Sequence, residues 1–203
     1  MRVEVNKDPR LGHISTKDLL QTPVVVRVNK FNEEAAKVFH EKVNEAHNTG
    51  QPVIPVVIDS YGGQVYSLLS MLSVIESSEL PVATIGLGKC MSCGAVLLGM
   101  GTPGYRYVAP GTTVMIHDVS NMSIGKSSEI QATAKETDRL KKELFHRLAT
   151  SCKKDKNYFI EELRKRDNAE WYITAAQAKK INLVDCVATP TLSVNIEVSM
   201  DFG

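Results

Sequence analysis

The chain has 203 residues, 43% hydrophobic and 23% charged, with 24 basic against 23 acidic side chains for a net charge of +1. This is an ordinary globular composition with room for one substantial core, and its balanced charge gives no sign of a nucleic-acid or anionic-membrane partner. The N-terminal residues lack a signal peptide's apolar core, and no run approaches the roughly 20 apolar residues of a membrane span, so a cytoplasmic protein with no nucleic-acid and no membrane partner is expected.

Pro23 to Val28 reads as a strand. Asn32 can cap the helix that follows, where Ala35, Val38, Phe39, Val43 and Ala46 share a face and Gly50 marks the end. Val53 to Ile58 is a buried type of strand, and Gly62-Gly63 opens a helix through Leu68, Leu69, Leu72 and Ile75. Pro81 to Leu87 is the next strand, followed by Gly88-Lys89-Cys90-Met91-Ser92-Cys93-Gly94-Ala95 and an apolar helix from Ala95 to Met100. Tyr105 to Ala109 and Thr113 to His117 add two short strands joined by the turn Pro110-Gly111. Repeated strand–helix alternation implies parallel strands with helical crossovers, an α/β class.

After Gly125 the pattern changes. Ser128-x-x-Gln131 has the form of a capping box, and Leu140, Leu144 and Leu148 recur along a long charged helix. That helix has too few apolar positions for full burial, so it should project from the body. Phe159 to Arg166 is a further helical piece. Thr174 caps a short helix with Ala175, Ala178 and Ile181, leading into a strand from Leu183 to Val187.

Ser92 is a small hydroxyl residue at a strand-to-helix turn with glycine two positions on, a placement that exposes a nucleophile where unpaired backbone N–H groups can hold an oxyanion. Alone, Ser-x-Gly is a chance pattern. A serine also needs a base. Among the five histidines, His40, His47 and His146 fall on charged helical faces and read as solvated, and His13 lies in a polar N-terminal segment. His117 ends the apolar strand Val114-Met115-Ile116, where a strand hands over to a loop; a plain sheet-edge histidine is the alternative, and Ser92 favours the base. Glycine pairs after a strand allow close backbone approach, so the Gly63 N–H is a candidate oxyanion donor with that of Cys93. For the group that orients the histidine, Asp167, Glu170 and Asp185 stand near a later strand. Asp118 is its sequence neighbour and points to the opposite face.

Gly86-x-Gly88-Lys89 lacks the spacer and the hydroxyl residue of a phosphate loop. Cys90-x-x-Cys93 is half a zinc or redox site, but Cys152 and Cys186 are isolated, so the four cysteines read as packing residues in a reducing setting. No metal or organic cofactor is expected.

The blocks in order resemble the proteolytic subunit of the Clp protease, peptidase family S14, within the wider crotonase-like fold. Ser60-Tyr61-Gly62-Gly63 is similar to the family's Ser-Pro-Gly-Gly, and Met91-Ser92-Cys93-Gly94-Ala95 to its nucleophile segment Ser-Met-Gly-Ala. Arg106-Tyr107, Pro110 and Met115-Ile116-His117 resemble its histidine block, Gly125 to Ile130 the start of its handle helix, and Ala178 to Asp185 its closing Ala-x-x-x-Gly-Leu-Val-Asp. The similarity runs from about Val24 to Val187. Tyr61 and Cys93 replace the usual Pro and Met, a pattern closer to divergent, phage-type members.

The resemblance implies an α/β fold of repeated β-β-α units with a protruding handle helix. It implies a single domain over 1–203, with an N-terminal segment at 1–22, the handle at about 125–152 and a C-terminal tail at 188–203. It also implies a serine endopeptidase: Ser92 as nucleophile, His117 as base, Gly63 and Cys93 as oxyanion donors, and Ile124 and Gly125 on the substrate-binding strand. Counting back from Leu183-Val184-Asp185, the family's acid falls on Glu170, with Asp167 in reserve. Heptameric rings stacked into a tetradecamer, protein substrates and a separate AAA+ ATPase unfoldase are the implied partners. The alternatives are a catalytically inactive ring subunit and a crotonase-type acyl-CoA enzyme, which would use acidic residues in place of the Ser–His pair.

Overall fold

A computed structural model describes residues 2–6, 23–119, 126–167 and 169–195. In chain order the elements are β1 (Arg2–Asn6), β2 (Val26–Val28), α1 (Glu33–His47), β3 (Ile54–Ser60), α2 (Val65–Glu76), β4 (Val82–Met91) and α3 (Cys93–Gly99). There follow β5 (Arg106–Val108), β6 (Thr113–Ile116), α4 (Ser127–Ser151), α5 (Tyr158–Arg164), β7 (Trp171–Thr174), α6 (Ala175–Lys180), β8 (Cys186–Val187) and β9 (Thr191–Asn195). The mixed α/β class with a largely parallel sheet matches the sequence reading.

The main sheet has the order β2-β3-β4-β5-β8, with β6 paired to β4 and β7 to β6. Every pair in it is parallel except β6–β7. Central β3 is buried at all but Asp59, as expected of a strand covered on both faces. Its core neighbours are Val26, Val28, Phe39, Val43, Leu68, Leu72 and Leu98. Two helices begin where the local chemistry says they should. Asn32 Oδ1 accepts from the Ala35 N–H at 2.8 Å, capping α1, and Thr174 and Gln177 bond reciprocally at the start of α6.

β4 is the spine. From Ile58 to Ser60 β3 advances two residues, while its partners on β4 run from Gly86 to Cys90, an advance of four. The excess is a bulge at Leu87–Lys89, and Gly88 takes φ +65°, where a side chain is strained. Before the bulge Thr84–Gly86 pair with β5; after it Lys89–Met91 pair with β6. One strand thus serves two neighbours that diverge.

Helix α4 begins at Ser127, one residue ahead of the expected cap. The Glu129 carboxylate accepts from the Lys126 N–H at 3.1 Å, so the box predicted at Ser128 and Gln131 is displaced. Only its second half is buried, through Leu140, Leu144, Phe145, Leu148 and Ala149, and its first half stands out from the body as predicted. Polar links from α2 steady it: the Tyr66 hydroxyl donates to Glu136 at 2.9 Å, and Arg147 pairs with Glu76.

Three details correct the sequence reading. The N-terminal segment at 1–22 and the C-terminal tail at 188–203 contain two strands that the sequence pattern does not single out, β1 and β9, which pair in parallel with Arg2 beside Thr191. Trp171–Thr174 is a strand, β7, where only a helix cap had been read. His47 and His146 are half-buried rather than fully solvated: His47 Nδ1 lies 2.8 Å from the Val43 carbonyl oxygen, and His146 Nε2 is buried with no hydrogen-bond partner among the described residues.

Arg106, 4% exposed, ties the C-terminal half together. Its guanidinium donates to Asp185 at 2.6 and 3.0 Å and to the Ser151 carbonyl oxygen at 3.2 Å. Burial alone would raise the Asp185 carboxyl, but hydrogen bonds from the Arg106 side chain and from the Arg106 and Gly104 N–H groups outweigh it and hold it below the usual range. A lowered folded value means stability that is complete above about pH 4 and lost as pH falls through the folded value. Asp185→Ala, which strands a buried guanidinium, should lower unfolding free energy by roughly 2–4 kcal/mol in urea titrations at pH 7, and by less below pH 3.

Candidate active site

The parallel pairing of β4 with β6 decides which side chains meet. Met91 is in register with Met115, so both strands run out at the same edge, Ser92 following one and Ile116-His117 ending the other. The Ser92 N–H donates to the Met115 carbonyl oxygen at 2.8 Å. Ser92 Oγ and His117 Nε2 are 2.8 Å apart. A serine hydroxyl hydrogen-bonded to an imidazole can give up its proton as it attacks an electrophile.

The turn at Ser92 is strained, with φ +54° and ψ −120°, a region that costs a non-glycine residue about 1–3 kcal/mol. What holds it is the packing of α3, whose seven residues are all buried, and the acceptance by the Ser92 carbonyl of the Ala95 and Val96 N–H groups. The strain lifts Oγ out of the strand and toward His117.

Opposite lies the turn after β3. Ser60, 1% exposed, fixes it by donating to the Asn29 carbonyl oxygen at 2.9 Å and accepting from the Gly62 N–H at 3.1 Å. Gly62 has φ +106°, and a Cβ there would sit 2.7 Å from Ser92 Cβ. Gly63 forms a parallel bridge with Phe31, and a Cβ on it would collide with the Phe31 carbonyl oxygen. A side chain at either position therefore requires Ser92 or the Phe31 backbone to shift. Cys93 Sγ donates to the Gly63 carbonyl oxygen at 3.3 Å, which draws the two predicted amide donors together. The Cys93 amide opens α3 and has no intrahelical acceptor.

The cysteines are all free thiols. Burial pushes the Cys90 and Cys152 thiols up to about 12 and raises that of Cys93, so none of these three is a ready thiolate at neutral pH.

A pocket of about 250 Å³ adjoins Ser92 and His117. Its lining combines polar groups with the apolar side chains of Val65 and Leu68 from α2, Val96 from α3, Val119, and Leu144 and Phe145 from α4. Asp118 also borders it, but its carboxylate is occupied, accepting from the Val119 N–H at 2.8 Å and from Lys141 at 2.5 Å.

The three acidic candidates part company. Asp185 belongs to the Arg106 cluster. Asp167 has φ +53° in the turn after α5, its N–H donating to the Arg164 carbonyl oxygen. Glu170 immediately precedes β7, whose register sets Trp171 beside Ile116; one step further along that register sets Glu170 opposite His117. Its carboxylate accepts from the Tyr172 hydroxyl at 2.6 Å, and among the described residues the hydrogen-bond partner of His117 is Ser92. Ile124 and Gly125 lie outside the described residues.

A family model for Clp protease matches residues 10–191. The chain belongs to the Clp protease family. The proteolytic subunit 1 of the ATP-dependent Clp protease of Salinibacter ruber is 33% identical over 143 residues, covering 70% of this chain and 59% of that protein. The proteolytic subunit from Bacteroides thetaiotaomicron is 33% identical over 132 residues, 65% of this chain and 58% of the relative. The matches therefore span less than two thirds of either relative's length. Among the described residues no helix is long and apolar enough to cross a membrane.

Because Gly62 abuts Ser92, Gly62→Ala should displace the serine without unfolding the sheet. Its rate of phosphonylation at Ser92 should fall about 10²-fold relative to wild type, with an unchanged far-ultraviolet circular dichroism spectrum.

Proposed function

We propose that this chain is a serine endopeptidase subunit that hydrolyses peptide bonds. The observation that carries the reading is the 2.8 Å Ser92–His117 hydrogen bond at a strained turn facing the Gly63 amide. Ser92 attacks the peptide carbonyl while His117 Nε2 takes its proton and then delivers it to the leaving amine. The tetrahedral oxyanion is held by the backbone N–H groups of Gly63 and Cys93. The pocket beside Ser92 receives a medium-sized apolar side chain of the substrate. Water then releases the acyl group by the same proton relay.

Glu170 is the third member, accepting from the His117 Nδ1–H once a small rotation frees it from Tyr172. Its support is the register that sets it opposite His117. As in the named relatives, the subunit works within an ATP-dependent Clp protease. It assembles into heptameric rings that stack through the exposed half of α4 into a tetradecamer, receives unfolded protein from a separate AAA+ ATPase and acts in the cytoplasm, with Ile124 and Gly125 pairing with the substrate strand.

Fluorophosphonate treatment followed by intact-mass measurement tests the chemistry. One adduct should form on the wild type and none on Ser92→Ala, while His117→Ala should slow labelling at least about 10³-fold. Absence of an adduct on a folded, assembled protein would remove the peptidase reading.

One observation favours a second reading, a ring subunit without activity. The Glu170 carboxylate is engaged by Tyr172, and an unoriented imidazole is a poor base. Fluorophosphonate labelling of Ser92 in the wild type separates the two readings, and Glu170→Gln then tests the role of Glu170. It should lower kcat roughly 10²- to 10⁴-fold if Glu170 orients His117, whereas Asp167→Asn should leave kcat within about twofold.

A further inference from the structure

Tyr61 borders the catalytic pocket and remains 74% exposed, although it is one peptide unit from the glycine that touches Ser92. An aromatic ring standing in solvent beside a nucleophile contributes nothing to the core. It is nonetheless held in place. Lys89 Nζ lies 4.6 Å from the ring centroid, within cation–π range, and donates to Asp59 at 2.7 Å. That hydrogen bond raises the Lys89 ammonium above its ordinary value, so the clamp is charged at any physiological pH.

The clamp depends on the β4 bulge. Lys89 is its last residue, and the bulge brings the Gly88 backbone against Asp59, where a Cβ on Gly88 would meet Oδ1 at 3.2 Å. Asp59, Tyr61 and Lys89 thus form a unit on the lip of the pocket: a carboxylate fixes an ammonium, and the ammonium fixes a ring. The cation covers one ring face, and the exposure of Tyr61, which lines the same pocket as Ser92, leaves the ring free to contact a bound peptide.

We propose that Tyr61 is a specificity-determining residue whose open face stacks on an aromatic side chain of the peptide, next to the bond being cleaved. This rests on the peptidase reading. A pre-fixed ring loses little side-chain freedom on contact, and an aromatic pair outweighs the same contact with alanine by a discrimination of roughly 3- to 10-fold.

The test is kcat/KM for a peptide series in which phenylalanine replaces alanine at one position at a time, within two residues of the cleaved bond. Rates for each variant are normalised to the rate at which a fluorophosphonate labels Ser92 in that same variant. In the wild type, phenylalanine should be preferred roughly 3- to 10-fold at one position beyond any preference of the pocket. Tyr61→Ala should bring that position's ratio close to 1, Tyr61→Phe should keep it, and Lys89→Leu should reduce it part-way. A Tyr61→Ala protein with the wild-type ratio at every position, and with Ser92 still labelled, overturns the assignment of Tyr61 alone. A wild type whose Ser92 is not labelled overturns the peptidase reading and this inference with it.

Discussion

The bulge at Leu87–Lys89 is the constraint on which the site depends. A straight β4 would pair with one strand on that side along its whole length. The extra residues let its first half hold β5 and its second half hold β6. The β6 pairing brings His117 to the edge at which Ser92 emerges, and it supplies the Met115 carbonyl that anchors the Ser92 N–H. The price of this arrangement is local strain, at Gly88 where glycine carries it freely and at Ser92 where burial of α3 carries it. The same bulge delivers Lys89 to Asp59 and Tyr61, so the geometry that assembles the nucleophile also shapes the lip of its pocket.

The glycines of the facing turn obey a complementary rule. Gly62 and Gly63 are fixed from two sides, by Ser92 and by the Phe31 backbone, and a Cβ at either position would require one of these to shift. Ser60 is buried, and its hydroxyl holds the turn. The turn and the α3 start are then linked through Cys93 Sγ and the Gly63 carbonyl. Burial raises the Cys93 thiol, which keeps it a neutral donor.

Much of this was legible in the residues because the signals are local. Asn32 and Thr174 cap as their chemistry requires, the apolar runs at 53–58 and 81–87 are buried strands, and Ser92 and His117 are where strands give way to turns. What escaped is set by distant partners. Trp171–Thr174 has the aromatic and β-branched character of a strand, but its pairing with β6 and its packing among Tyr158, Phe159 and Arg166 come from far along the chain. The alternation of Val3 and Val5 in β1 could have suggested a strand; nothing local names β9 as its partner. His146 fell on a charged stripe, yet its ring nitrogen is covered, because helical periodicity does not report how neighbouring elements close over one position. Glu170 was reached by counting within the family pattern, and the register explains its position without explaining the Tyr172 hydroxyl that accompanies it.

The central claim is that Ser92, His117 and the Gly63 and Cys93 amides converge on one carbonyl. The most direct measurement is a crystal structure of the protein phosphonylated at Ser92. The account predicts a phosphonyl oxygen about 2.7–3.1 Å from both amide nitrogens, with the His117 imidazole beside the Ser92 oxygen. A phosphonyl oxygen directed away from those amides, into solvent or into the pocket, would contradict it.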